Sequence, residues 1–298
     1  MRNNKDTPWA GSLRDGLFWR RTVSLSPRGA SGPEDEAPAD SSTVFSTDVK
    51  VVNVLATVRT KGGEIVADLN KEDFLLAEDN RPQVIRYFSR ETNLPLVLGL
   101  LVDTSRSQTP VLGDEESASY RFLDDVLRED LDKAFLANFD FNTRLLQGMT
   151  SSREKLRLAL AGLECRLVEF QTCSRVDVPV LGHREGGSAP YRGNTTLFDA
   201  VYLASSEVMR HQEGRKAAVL LTDGVDHGSS ETIESAIEQA QRADTLVYSI
   251  LFAGKEGSGR GVLQKMSRET GGGYFEVSRE RSIDVIYRRI EEELRSQY

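Results

Sequence analysis

Short apolar runs alternate with amphipathic segments from residue 94 onward, and this alternation restricts the fold more than any other feature of the sequence. The runs at residues 96–102, 133–139, 217–222 and 246–252 have the length of buried strands. The segments between them carry apolar residues at the i, i+3, i+4 and i+7 spacing of a helix with one buried face. Strands that alternate with helices build a parallel sheet that helices cover on both faces. The sequence therefore predicts an α/β fold, doubly wound, with a mostly parallel central sheet.

The pattern also predicts the remaining elements of this region. Helices are expected over residues 115–128, 151–163, 197–209, 231–242, 261–268 and 283–294, a short edge strand over 144–149, and a last strand over 274–277. In the closing helix, five apolar residues form one stripe that should face the core: Ile283, Ile286, Tyr287, Ile290 and Leu294.

The chain is predicted to have three parts. Residues 1–43 indicate a disordered tail, because residues 27–42 are rich in Pro, Gly, Ala, Ser and acidic side chains. Residues 44–92 indicate a small β-rich unit, with strands near 50–58 and 64–66, a tight turn at Asp79–Asn80 and a strand over 84–88. The α/β domain follows at residues 93–298. Within it, residues 164–192 have no clean period and are predicted to form a long insertion loop.

Three polar segments stand at the ends of predicted strands or helices. Asp103, Ser105 and Ser107 follow the strand at 96–102, Thr195 lies just before the helix at 197–209, and Asp223 follows the strand at 217–222. The carboxyl edge of an open α/β sheet is where ligands bind. Carboxylate and hydroxyl oxygens suit a hard divalent cation, Mg²⁺ or Mn²⁺, better than zinc or copper. The first segment alone is compatible with a simple helix-capping turn, and it is the order of all three that points to a metal site.

This constellation resembles the metal-ion-dependent adhesion site (MIDAS) of von Willebrand factor type A domains, and the resemblance extends from about residue 94 to the end of the chain. It implies that Ser105 and Ser107 ligate the metal directly, that Thr195 does so directly or through water, and that Asp103 and Asp223 hold the ion directly or through bound water. It further implies a Rossmann-like fold and a protein partner whose Asp or Glu side chain completes the metal shell. Residues 68–89 resemble a segment that precedes this domain in bacterial, acidobacterial-type, von Willebrand factor A-related proteins.

Neighbouring polar residues have simpler interpretations. Asp226 is expected to cap a turn or to hold a water near the metal, and Asp199 to favour the positive end of a helix dipole. Arg106, between the two serines, is interpreted as pointing to solvent.

No catalytic constellation is evident, and the chain is predicted not to be an enzyme. A strand-end aspartate is also the nucleophile of haloacid-dehalogenase-like phosphatases, but these carry a second acid two positions later, where this chain has Ser105. A Gly-x-Ser-x-Gly turn and a phosphate-binding loop are both missing from the sequence. The hypothesis is a divalent-cation-dependent protein-binding module. The alternatives are a metal-assisted hydrolase or phosphotransferase at the same site, and a structural assembly domain whose metal site no longer functions.

Charge and composition restrict the partner and the compartment. The net charge is 38 − 46 = −8, which argues against nucleic acid. No apolar run approaches the roughly 20 residues that span a bilayer. The sequence as written shows no secretory leader, which indicates the cytoplasm, whereas the related bacterial proteins are often exported; the compartment stays open. Whether Cys165 and Cys173 form a disulfide or stay free thiols stays open as well.

Overall fold

The computed structural model describes residues 68–78, 80–89, 94–105, 107–108, 112–168, 181, 195–252 and 259–296, with the isolated positions 56, 58, 60, 65 and 66. The predicted tail and most of the predicted insertion loop lie outside these residues, as do most of the strands near 50–66, the side chain of Cys165, and Cys173. The described chain divides into two units. One contains Asn70–Arg86, and the other contains the residues from Tyr87 onward together with positions before Asn70. The predicted domain boundaries stay a prediction.

The first unit is a short hairpin. A 3₁₀ turn over Lys71–Asp73 leads into β1 (Leu76–Glu78), which pairs antiparallel with β2 (Arg81–Gln83). Asn80 has a φ of 63°, so the predicted turn is confirmed at this residue; asparagine is one of the few side chains that tolerate this left-handed backbone. The prediction of a strand over 84–88 is wrong. Pairing begins directly after the turn, and β1 offers partners to only three residues, Arg81 to Gln83.

The second unit is built on a six-stranded sheet. Its strands are β3 (Leu96–Asp103), β4 (Lys133–Phe139), β5 (Thr143–Thr150), β6 (Arg215–Thr222), β7 (Thr245–Phe252) and β8 (Tyr274–Val277). They are arranged in the order β5-β4-β3-β6-β7-β8, and all neighbours are parallel except β5, which runs antiparallel to β4 at one edge. The predicted α/β class with a mostly parallel sheet is confirmed. β3 and β6, the strands that deliver Asp103 and Asp223, are direct neighbours in register, with Val102 opposite Leu221.

In the described part of the chain, six helices cover the sheet: α1 (Leu112–Val126), α2 (Arg153–Val168), α3 (Leu197–Leu203), α4 (Ile233–Arg242), α5 (Arg260–Thr270) and α6 (Ile283–Arg295). α1, α2 and α6 share a hydrophobic core with one face of the sheet, and α3, α4 and α5 share a core with the other. A π-helical turn over Ala204–Val208 and a 3₁₀ turn over Met209–His211 continue α3 to about the predicted length. The five residues of the predicted α6 stripe are all buried, which confirms that prediction.

The central strand shows how the two cores are separated. Leu98 and Leu100 of β3 face the core under α1, α2 and α6, whereas Val97 and Leu101 face the other core, as the alternation of a strand requires. All eight residues of β3 are buried. The backbone N–H and C=O groups of a fully buried strand must be hydrogen-bonded within the sheet. Pairing with β4 on one side and β6 on the other therefore fixes the position of the carboxyl end of β3 relative to its neighbours.

α2 extends furthest past its predicted end. α2 continues past Leu163 to Val168, so the first residues of the predicted insertion loop are helical. Residues 164–168 contain no glycine or proline and include good helix formers, so nothing in them stops the helix. None of the helices in the described part of the chain combines the length and the apolar character needed to cross a membrane.

Candidate metal centre

Asp103 is the last residue of β3 and the most deeply buried of the predicted metal ligands, with 0% of its surface exposed. One carboxylate oxygen, Oδ1, accepts a hydrogen bond from the backbone N–H of Ser105 (2.9 Å). The other, Oδ2, accepts one from the hydroxyl of Thr222 (2.5 Å), the last residue of the neighbouring β6. The carboxylate therefore ties the two central strand ends together.

The electrostatic state of Asp103 reflects this burial. Burial raises the pKa of Asp103 to about 6, although the hydrogen bonds from Ser105 and Thr222 act in the opposite direction, and the charge of Asp223 raises it further. Among the described residues, no Lys, Arg or His side chain forms a hydrogen bond or an ion pair with the Asp103 carboxylate. A buried negative charge without a positive counterpart costs free energy. A bound cation would remove that cost, so the chemistry of Asp103 fits a metal.

The two serines lie in the loop that follows β3. Ser105 is half-buried and Ser107 is exposed, and their hydroxyl oxygens are 3.1 Å apart. The loop is held by backbone hydrogen bonds from Thr104 N to Phe139 O (2.9 Å) and from Gln108 N to Ser105 O (3.0 Å). Two hydroxyls at this separation can both reach one ion, and hydroxyl oxygens are ligands that Mg²⁺ accepts. Arg106 lies outside the described residues.

Asp223 is half-buried at the start of the loop after β6. Its Oδ1 accepts a hydrogen bond from Val225 N (3.0 Å), and its carbonyl oxygen accepts one from Gly259 N (2.9 Å). Gly224 has a φ of 77°, and a Cβ on Gly259 would lie 1.6 Å from the Gly224 carbonyl oxygen. This close backbone contact requires glycine at both positions, and it fixes the loop that carries Asp223.

Thr195 is buried, with 5% exposed, and lies between the loops that follow β4 and β6. Its carbonyl oxygen accepts a hydrogen bond from His227 N (3.0 Å), in the loop that begins with Asp223. The next residue, Thr196, donates from both its backbone N–H (2.8 Å) and its hydroxyl (3.1 Å) to the carbonyl oxygen of Asp140. Among the described residues, Thr195 is thus held through its backbone carbonyl.

The five predicted residues accordingly lie on three loops at the carboxyl edge of the sheet, and hydrogen bonds connect these loops. Asp103 joins the β6 end through Thr222, the two serines contact each other, and Thr195 joins the Asp223 loop through His227. Within the residues that the structure describes, no three His, Cys, Asp or Glu side chains form a cluster suited to a metal. A site with two carboxylates and three hydroxyls is not of that type. The role of the five residues as metal ligands stays a prediction.

Two residues of this region escaped the sequence interpretation as functional positions. Thr222 ends the strand predicted over 217–222, and its hydroxyl donates to Asp103. Ser229 lies in a loop with no sequence pattern of its own, and its hydroxyl accepts hydrogen bonds from Phe198 N (3.0 Å) and Asp199 N (3.2 Å) at the start of α3. A signal existed for Thr222, since the strands of a parallel sheet end together and a hydroxyl beside a buried carboxylate is a natural donor. None existed for Ser229, whose partner lies 31 residues away.

Asp226 and Asp199 act mainly on the backbone around α3. Asp226 Oδ1 accepts from Leu197 N (2.9 Å), which agrees with its interpretation as a cap, although the cap is on a helix earlier in the chain. Asp199 accepts from Ser230 N (3.1 Å) and Glu231 N (2.8 Å), and burial raises its pKa despite these two donors.

Comparison with family models finds one match, which lies within the second half of the chain. The model of the von Willebrand factor type A domain matches residues 187–289, a stretch that includes Thr195 and Asp223. No curated protein matches the chain in sequence.

Solved structures that match this chain come from different organisms. BatB from Bacteroides thetaiotaomicron is 18% identical, with a TM-score of 0.49 over 67% of this chain and 97% of BatB. Proximal thread matrix protein 1 from the mussel byssus, in a form with a zinc-occupied MIDAS motif, is 15% identical, with a TM-score of 0.48 over 69% of this chain and 46% of that protein. A von Willebrand factor type A protein from Catenulispora acidiphila is 17% identical, with a TM-score of 0.47 over 66% of this chain and 42% of that protein.

Proposed function

Because the chain contains a von Willebrand factor type A domain, we propose that it is a divalent-cation-dependent protein-binding module and not an enzyme. In this proposal Asp103, Ser105, Ser107, Thr195 and Asp223 hold one Mg²⁺ or Mn²⁺ ion. The ion captures an Asp or Glu side chain of a protein partner, and this bond forms part of the interface.

The observation that carries the proposal is the position of Asp103. Its carboxylate is fully buried at the end of the central strand, beside Asp223 and next to a pair of hydroxyls 3.1 Å apart. If the side chain at position 103 served only to accept hydrogen bonds at the end of β3, a neutral side chain would make the fold more stable, because it avoids the cost of a buried charge. A buried carboxylate beside hydroxyl oxygens is the arrangement that a hard cation stabilises.

The composition of the donor set favours binding over catalysis. Two carboxylates and three hydroxyls neutralise a divalent ion less completely than three or more carboxylates would. Such an ion stays strongly attractive to an incoming carboxylate, and the attraction grows when the interface excludes water. Mg²⁺ and Mn²⁺ are the expected metals, because zinc prefers sulfur and nitrogen ligands over hydroxyl oxygens.

The first experiment is a calorimetric titration of Mg²⁺ and Mn²⁺ into the wild-type protein, Asp103→Ala and the double variant Ser105→Ala/Ser107→Ala. Asp130→Ala is the matched control, since Asp130 is an exposed aspartate in the turn after α1. We expect saturable binding in the wild type and in the control, and none in the two site variants. Circular dichroism and urea unfolding establish that each variant is folded.

The second experiment tests the acidic partner. The titration is repeated with a glutamate-containing peptide present, and with the matching glutamine peptide. If the ion captures a carboxylate, the glutamate peptide alone tightens metal binding, and EDTA releases it from the protein. Peptide binding that is equal with and without EDTA would contradict the proposal and favour a structural role. Hydrolysis of a generic phosphate ester that is lost in Asp103→Ala would contradict it in favour of an enzyme.

A further inference from the structure

The N-terminus of α3, directly after Thr195 and Thr196, is closed by side chains from a different loop. Thr196 occupies the capping position, but its hydroxyl donates to Asp140 O instead of accepting from a helix amide. The free amides of the first turn donate to the loop after β6 instead: Leu197 N to Asp226 Oδ1 (2.9 Å) and Phe198 N to Ser229 Oγ (3.0 Å). The start of this helix is therefore fixed by residues about 30 positions further along the chain.

These contacts run in both directions. The Ser229 hydroxyl donates to Asp226 Oδ1 (2.5 Å), which holds the two capping side chains together. In return, Asp199 in the first turn of α3 accepts from the backbone N–H groups of Ser230 (3.1 Å) and Glu231 (2.8 Å). We call Asp226, Ser229 and Asp199 the capping network. With the hydrogen bond from His227 N to Thr195 O, it fastens the Thr195 segment to the loop that begins with Asp223.

We infer that Asp226 and Ser229 are positioning residues that hold Thr195 at the correct distance from Asp223. This inference rests on the proposed function, in which both residues are ligands of one ion. Thr195 lies two residues before Leu197, and Asp226 lies three residues after Asp223, so the network connects the two predicted ligands by a short path. Metal sites need their ligands placed within a few tenths of an ångström, and they depend on surrounding groups that orient them.

The bonds of the network are strong enough for this task. A carboxylate that accepts from backbone N–H groups makes charge-assisted hydrogen bonds, roughly twice as strong as neutral ones. The negative charge of Asp226 also lies at the positive end of α3, which strengthens the contact. Within the described residues, Thr195 is held through its backbone carbonyl, which accepts from His227 N. Its position therefore depends on the backbone that the network fixes.

The test compares Ser229→Ala and Asp226→Asn with Ser230→Ala in the full chain. Ser230 is the matched control, because it is exposed and contributes to the network only through a backbone N–H that alanine keeps. Calorimetric titration of Mg²⁺ should show affinity about 10-fold weaker in Ser229→Ala and in Asp226→Asn than in the wild type, and unchanged in Ser230→Ala. Circular dichroism and the urea midpoint establish that the variants are folded. Unchanged affinity in both network variants would overturn the inference.

A double-mutant cycle separates positioning from a general loss of structure. In a Thr195→Ala background, Ser229→Ala should weaken Mg²⁺ binding no further, because the ligand that it positions is already gone. If Ser229→Ala instead weakens binding by the same factor in both backgrounds, it does not act through Thr195, and the inference fails. Thr195→Ala with wild-type affinity would also overturn it.

Amide hydrogen exchange of the metal-free protein keeps this inference apart from the proposed function. We expect Phe198 and Asp199 to exchange faster in Ser229→Ala than in Ser230→Ala, since Asp199 N loses its acceptor and Phe198 N keeps only the longer hydrogen bond to Asp226 Oδ1 (3.4 Å). A wild-type protein that binds no Mg²⁺ contradicts the proposed function, while faster exchange still supports the holding of this segment by Ser229. Equal exchange in the two variants shows that the network does not hold the segment, and it overturns the inference whatever the metal result.

Discussion

Asp103 is the residue on which pH should act most directly, because its carboxylate is buried beside a second acid. Its pKa is about 6 in the folded protein, against an ordinary value of 3.8. Between these values the folded state holds a proton that the unfolded state has released, so stability falls as pH rises through this range. For the metal-free protein we therefore expect the free energy of unfolding to be roughly 1 kcal/mol higher at pH 5 than at pH 7.5, from Asp103 alone. Urea unfolding at the two pH values in EDTA measures it.

The control for this pH dependence is Asp103→Asn, which cannot ionise. The variant should lose this part of the stabilisation on acidification, so the wild type should gain more than the variant between pH 7.5 and pH 5. Equal gains in the two proteins would show that Asp103 does not titrate in this range. With saturating Mg²⁺ the ion favours the charged carboxylate, and the affinity for Mg²⁺ should fall as pH drops below about 6.

Thr222 holds the Asp103 carboxylate in place: its hydroxyl donates to Asp103 Oδ2 and accepts from Gly224 N (3.0 Å). Thr222→Val keeps the volume and removes the hydroxyl, which leaves a buried carboxylate oxygen and a backbone N–H without partners. We expect a loss of roughly 1–3 kcal/mol in the free energy of unfolding. Thr222→Ser keeps the hydroxyl and should lose clearly less. Urea unfolding of the pair tests this, and equal losses would mean that packing rather than the hydrogen bond matters.

Residues in the loops directly after predicted strands could be found from the sequence, whereas the long-range contacts of their supporting residues could not. Asp103, Ser105, Ser107 and Asp223 follow apolar runs, and parallel strands bring such positions to one edge. The hydrogen-bond partner of a Ser or Thr hydroxyl depends on which elements are neighbours in the folded structure. Thr222 could be suspected because it ends the neighbouring predicted strand, but its contact with Asp103 spans 119 residues and depends on the register of β3 and β6, which no local pattern encodes.

Among the elements, the end of α6 is fastened to the rest of the domain by Asp132, at the amino edge of the sheet. Asp132 is fully buried and accepts from Leu96 N at the start of β3 (2.8 Å), from the Arg128 guanidinium (3.0 Å) and from Arg295 in the last turn of α6 (2.5 Å). Burial alone would raise the pKa of Asp132, but these hydrogen bonds hold it well below its usual range. The ionised carboxylate therefore stabilises the fold.

Asp132→Asn should lower the free energy of unfolding at pH 7 by about 2–3 kcal/mol, because it leaves two arginines without their buried partner. Its folded-state pKa lies below the ordinary 3.8, so the difference from the wild type should shrink only as pH falls below that value. Mg²⁺ affinity should not change, since Asp132 and the metal site lie at opposite edges. Asp130→Asn, two residues earlier and exposed, is the control. A loss of Mg²⁺ binding in Asp132→Asn would show that the two edges are coupled.

Long periodic elements were predictable, and their ends and interruptions were less so. β4 has the bounds that its apolar run predicts, because a buried strand in a parallel sheet needs a largely apolar segment. β8, a half-buried edge strand, also has its predicted bounds. The end of α2 was missed because its last residues lose the apolar period without any residue that stops a helix. The π-helical turn after Leu203 has no sequence signal, since its backbone widening is set by packing.

For the whole molecule, the net charge of −8 opposes the approach of an acidic partner. In the proposed function, the ion at the edge of the sheet attracts the acidic partner at short range, while the net negative charge of the protein repels it at long range. Salt screens the long-range repulsion, since the Debye length falls from about 30 Å at 0.01 M to about 8 Å at 0.15 M ionic strength. The short contact between ion and carboxylate is screened much less once it is buried in an interface.

We therefore expect association with a negatively charged glutamate peptide to become faster, by up to a few fold, as salt rises from about 0.01 M to about 0.15 M at saturating Mg²⁺. Stopped-flow fluorescence with a labelled peptide measures the association rate. A peptide with the same glutamate but no net charge is the control, and its rate should change little. Steering by a basic patch would give the opposite slope, with a rate that falls steeply as salt is added. That result would mean that surface cations and not the bound ion attract the partner, and binding should then survive EDTA.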